Sequence, residues 1–158
     1  MKRALLLCVA LSLPATGCAV LTGHLARGRV TPTGPQPEGY VLRETKVAFV
    51  FEPARYDSVT ADSTGERAAL AGMRVRSVNV VGDFTGWSRT AWLMSRWDAG
   101  PVVRFRLEHA LADVGTGKEY AFRFLVNDRW WVEPRASAPN RRPAADGRAG
   151  YDFVLQLD

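Results

Sequence analysis

The stretch EYAFRFLVNDRWWV, Glu119 to Val132, decides the fold. Tyr120, Phe122, Phe124 and Val126 alternate with Glu119, Ala121, Arg123 and Leu125. Alternation with a period of two is the pattern of a strand that buries one face. Asn127 and Asp128 follow, and both residue types tolerate the left-handed backbone angles of a tight hairpin. A two-residue loop there predicts pairing of Val126 with Arg129, Leu125 with Trp130, and Phe124 with Trp131. Directly paired residues share a face. Trp131 is therefore expected in the core with Phe124, and Trp130 beside Leu125 and Arg123 on the opposite face.

The same alternation recurs on both sides of this hairpin. Val47, Phe49 and Phe51 form one apolar row, Val103, Phe105 and Leu107 a second, and Tyr151, Phe153, Leu155 and Leu157 a third. Val75 to Val81 reads as a less regular strand, and Trp92 to Met94 and Arg129 to Val132 as shorter ones. Glu66 to Met73 is the one stretch with helical character. The sum is an all-β domain, an immunoglobulin-like antiparallel β-sandwich of about seven short strands. The chain has 158 residues, the size of one ordinary domain. A (β/α)₈ barrel, at about 250 residues, does not fit.

The first residues have a different logic. Met1-Lys2-Arg3 is basic, Ala4 to Leu13 is apolar, and Pro14 to Gly17 is a run ending in small residues before Cys18. That is the layout of a secretory signal peptide, with an apolar run too short to span a bilayer. Residues 1–17 are expected to be removed. The sequence ATGC ending at Cys18 resembles the bacterial lipobox, although Ala15 stands where leucine is commoner. The resemblance implies a diacylglycerol on the Cys18 thiol, hence membrane attachment through that residue. Ala19 in place of aspartate implies outer-membrane sorting. Residues 18–39 form a Pro/Gly-rich tether, with His24 a solvated member, and residues 40–158 form the domain. Cys8 leaves with the signal peptide, so the domain has no cysteine for a disulfide or a thiolate metal site.

The formal charge is +5, and two of the positive charges, Lys2 and Arg3, lie in the segment to be cleaved. The remaining arginines are scattered among acidic and apolar residues. A nucleic-acid surface clusters them, so no nucleic-acid partner is expected. No nucleophile elbow, phosphate-cradling glycine loop or metal-ligand spacing is present. A non-enzymatic chain without cofactor is the expectation.

Three segments resemble the glycogen-binding module of AMP-activated kinase beta subunits and the related N-terminal modules of starch-branching and debranching enzymes. They are VNVVGDFTGW, Val78 to Trp87; YAFRFLVNDRW, Tyr120 to Trp130, with Glu133-Pro134 after it; and the closing YDFVLQL. Lys46 to Pro53 resembles the module's opening strand. The likeness covers about 110 residues. It implies a carbohydrate site, for an α-glucan-like chain, with Trp87 and Trp130 stacking on sugar rings and Arg123 donating to hydroxyls. Thr85 replaces the family's asparagine, Glu133 replaces its aspartate, and Tyr151-Asp152 stand where another asparagine is expected. Ala54 to Gly72 and Ala136 to Gly150 are insertions. An indole is a flat apolar surface for the C–H face of a sugar, and a guanidinium donates in planar pairs.

Each candidate also has a structural reading. Trp87 covers a turn, Trp130 packs under the 136–150 loop, or Arg123 pairs with Glu119 or Glu133. Trp92 and Trp97 read as core or edge packing, His109 as structural or solvated, and Arg141-Arg142 as a solvated loop tip. Two partners therefore stand side by side: a glycan, or an envelope protein docked on the tryptophans of a module that has lost its sugar site.

Overall fold

A computed structural model describes residues 35–61, 64–145 and 147–157. The expected signal peptide, Cys18 and the expected tether up to residue 34 lie outside these residues.

Two antiparallel sheets form because the alternating rows each have one apolar face to hide. The smaller sheet contains β1 (Tyr40–Arg43), β2 (Lys46–Phe51), β7 (Ser95–Ala99) and β8 (Val102–Ala110), in the order β1-β2-β8-β7. The larger contains β3 (Ser58–Ala61), β4 (Arg67–Ala69), β5 (Val78–Gly82), β6 (Trp92–Leu93), β9 (Glu119–Val126), β10 (Trp130–Val132), β11 (Arg141–Pro143) and β12 (Tyr151–Gln156). Strand β9 is its axis. Its first half pairs with β12 and its second half with β10 along one edge, while β5 pairs along the other.

The inner rows meet as expected. Phe49 and Phe51 of β2 touch Phe122 and Phe124 of β9, with ring centroids 5.2 and 5.1 Å apart. Phe105, Phe153, Val78, Val80, Val126, Val132 and Leu155 complete a fully buried core. The fold begins before β1. The side chain of Glu38 is buried and accepts from Arg135 Nε at 2.8 Å. Asn140 accepts from the Glu38 amide and donates to the Glu38 carbonyl, which sews this entry to the 136–150 segment. Burial, reinforced by the Glu38 carboxylate beside it, pushes the Tyr56 hydroxyl far above the ordinary tyrosine range.

The sandwich has more strands than the expected seven, because the insertions are themselves sheet. Residues 54–72 contain β3 and β4, which extend the large sheet beyond β10. Residues 136–150 contain β11, paired with β12. The stretch Glu66 to Met73 is not helical. Arg67–Ala69 pairs with Ser58–Thr60, since a run this short gains more from a ladder than from one helical turn.

The hairpin after β9 departs from its expected register by one residue. Trp130 lies opposite Val126, Trp131 opposite Leu125, and Val132 opposite Phe124. Asn127 and Asp128 do take left-handed angles, φ 51° and 57°, and the Arg129 amide donates to the Val126 carbonyl. Arg129 is then an extra residue before the ladder resumes, as in a β-bulge. The tie that fixes this arrangement is tertiary. Asn127 Oδ1 accepts from the amides of Arg76 and Ser77, and its Nδ2 donates to the Arg74 carbonyl. A slip of one residue exchanges the faces of every side chain that follows. Trp130 consequently packs against the core, and Trp131 shares the outer face with Arg123.

Candidate functional site

The outer face of the large sheet is where sequence-derived candidates converge. Position by position, the row across it runs Asn79, Leu125, Trp131, Thr60 and Arg67. The neighbouring row contains Val81 and Arg123. Trp87 reaches this face from the turn that follows β5. The segment Gly82 to Trp87 is wound tightly, with the Gly86 and Trp87 amides donating to the carbonyls of Asp83 and Gly82. Thr85 Oγ1 accepts from the Gly82 amide and donates to the Gly82 carbonyl, so this side chain closes the turn. Gly86 and Trp87 both have left-handed backbones, φ 55° and 59°. That conformation costs a bulky residue of order 1 kcal/mol or more and is held here by the surrounding hydrogen bonds. Asp83 fixes the result: it accepts from Trp87 Nε1 at 2.9 Å and from the Ala121 amide at 2.7 Å.

A cleft of about 390 Å³ lies on this face, lined by Trp87, Trp131, Arg123, Arg148, Thr60 and Glu133 among others. Its volume falls within the ordinary range for small-ligand sites. Beneath it sits a charge relay that the sequence reading missed. Arg123 is buried and donates from Nε to Asp152 Oδ1 at 2.6 Å, and from Nη2 to the Ala149 carbonyl at 2.7 Å. The other oxygen of Asp152 accepts from Arg148 Nη2 at 3.3 Å. Arg148 in turn lies over the Trp87 ring, 3.3 Å from its centroid. Arg123 therefore pairs with neither Glu119 nor Glu133, and its charge is met by Asp152.

The structure brings Trp87 and Arg123 together and leaves Trp130 apart. Trp130 packs on the core side with Arg129 stacked on it at 4.6 Å, while Trp131 stands in the cleft with Arg89 over its ring at 5.3 Å. Asp152 carried a legible signal: in YDFVLQL it is a carboxylate on the face shared with Val154. Arg148 had none, since it comes from an irregular loop.

The remaining candidates lie elsewhere. Trp92 is sandwiched between Phe84 and His109, at 4.4 and 3.8 Å, so it and His109 are packing residues. Trp97 is 47% exposed on the outer face of the smaller sheet, beside Arg104 and Arg106. It is not core, because its partner in the ladder is Arg104, an outward position of β8. Arg141 and Arg142 belong to β11 and are not a loose tip. Among the described residues no group of three or more His, Cys, Asp or Glu side chains is placed to hold a metal. Among known proteins, no family model and no curated sequence matches this chain.

Proposed function

We propose that this chain is a non-catalytic lipoprotein of the bacterial envelope, anchored through Cys18, whose sandwich holds a glycan in the outer-face cleft. The sequence resemblance favours an α-glucan-like chain. One observation carries the reading: two indoles, Trp87 and Trp131, line one cleft above a buried arginine and carboxylate pair. Trp131 is the main stacking surface in this proposal, since Arg148 lies against the Trp87 ring at 3.3 Å whereas Arg89 stands off the Trp131 ring at 5.3 Å. Arg123 is a positioning residue that sets Asp152, and Asp152 sets Arg148, whose guanidinium donates to sugar hydroxyls.

A second reading has its own support. Arg148 seated on Trp87 occupies a face that a sugar would need, as expected of a module whose sugar site is spent and whose tryptophans dock an envelope protein. Calorimetry separates the two. The full-length protein, in a sugar-free detergent, is titrated with maltoheptaose and β-cyclodextrin. Saturable heat that disappears in Trp131→Ala and survives in Trp130→Ala supports the glycan site. No heat from a folded protein removes it and leaves the docking reading.

A further inference from the structure

We infer that the groove is built for a glycan bearing an anionic group, received by Arg67 and Arg141 beyond Trp131. This rests on the glycan reading above and adds the ligand's charge to it. The cleft does not end at Trp131. A second cleft of about 330 Å³ adjoins it, and the two share Thr60, Trp131 and Glu133 as a common wall. Arg67 and Arg141 both line this second cleft. Arg67 lies opposite Thr60, which lies opposite Trp131. With strands about 4.8 Å apart, its Cα is about 10 Å from that of Trp131. A ring stacked on the indole would then present its substituents to the arginine side chain.

Among the arginines that line the two clefts, these two guanidinium groups stand apart. Arg123 and Arg148 share Asp152, Arg135 holds Glu38, Arg129 holds Glu66, and Arg142 holds Glu119. Arg67 and Arg141 have no ion pair among the described residues. Arg141 is held in place by its stack on Tyr151, 3.1 Å from the ring centroid. Its Nε is buried and has no hydrogen-bond acceptor. The Arg141 guanidinium that lines the cleft has no acidic partner among the described residues, and an anion entering the cleft supplies one. Carboxylate, sulfate and phosphate on a sugar share this chemistry. Asp57 and Glu133 also line the cleft, so it favours one anionic group and opposes a dense polyanion.

The test is calorimetry of the full-length protein with maltoheptaose, maltoheptaose bearing one sulfate, and maltoheptaose ending in one glucuronate. The expected result is that one or both charged sugars bind about tenfold more tightly than the neutral one. Arg67→Ala, which changes an exposed side chain, and Arg67→Ala/Arg141→Ala should remove that preference and leave neutral binding in place. Arg43→Ala, on the other sheet, should change nothing. The sulfate and glucuronate arms identify which anion fits. Equal affinity for neutral and charged sugars, lost in Trp131→Ala, overturns the inference and keeps the glycan reading. A preference that survives in the double variant also overturns it. No binding of any sugar overturns both.

Discussion

Asp152→Ala is the perturbation with the largest expected consequence. The Asp152 side chain is 1% exposed and that of Arg123 is 7%, at a separation of 2.6 Å. Removing the carboxylate leaves the Arg123 charge buried with one carbonyl partner, Ala149. Breaking a buried pair from one side costs about 3–5 kcal/mol. That is a large share of the roughly 5–15 kcal/mol that holds an ordinary domain together. With a urea slope of about 1.5 kcal/mol per molar, the midpoint should fall by about 2–3 M. Removing the other partner is expected to cost less. In Arg123→Met the carboxylate keeps Arg148, whose side chain is 28% exposed and can share the charge with water. The double variant Arg123→Met/Asp152→Leu should recover most of the loss, because an apolar pair of similar volume avoids the desolvation that the ions suffer. Urea unfolding of the four proteins, followed by circular dichroism, ranks these losses. A loss below about 1 kcal/mol for Asp152→Ala, as for a surface pair, would refute the reasoning.

Three further outcomes follow from the same geometry. Trp130→Ala should cost about 2–3 kcal/mol by urea unfolding and leave glycan affinity unchanged, whereas Trp131→Ala should reverse that pattern. Tyr56 has its pKa raised above the unfolded value of 10.0, so the native state retains a proton that the unfolded chain gives up. Stability is unaffected by this group below about pH 10 and falls above it by up to about 1.4 kcal/mol per pH unit. Absorbance at 295 nm should show Tyr56 ionising together with unfolding, and Tyr56→Phe should flatten that alkaline decline. Gly82→Ala should destabilise strongly by thermal unfolding, since a Cβ there would press into the Ala121 carbonyl and Phe122. An unchanged melting temperature would mean that β5 and β9 are spaced more widely than described.

The architecture was legible because it depends on repeated local pattern. Phe49, Phe51, Phe105, Phe122, Phe124 and Phe153 all occupy inward positions, as their alternation requires. The lining of the outer-face cleft was legible only in part. Trp87 and Arg123, singled out by motif and strand face, do line it, but the choice between Trp130 and Trp131 turned on a single bulged residue. That bulge is set by Asn127 anchoring to Arg74, Arg76 and Ser77, about 50 positions away in the chain, and no local rule contains it. Asp152 was visible as a carboxylate in a mostly apolar closing strand, yet its meaning needed Arg123, its partner across the ladder. The helical reading of Glu66 to Met73 failed for a similar reason: Arg67–Ala69 is a strand only because Ser58–Ala61 is beside it.

The most direct test reads all five tryptophans at once, through their indole Nε1–H resonances. Isotope-labelled protein in a sugar-free detergent is titrated with maltoheptaose and with its singly charged derivatives. Glycan binding in the outer-face cleft should shift Trp131 and Trp87 with saturation while Trp92 and Trp97 stay in place. Shifts confined to Trp97, on the opposite sheet, or no shifts at all in a folded protein, would contradict it.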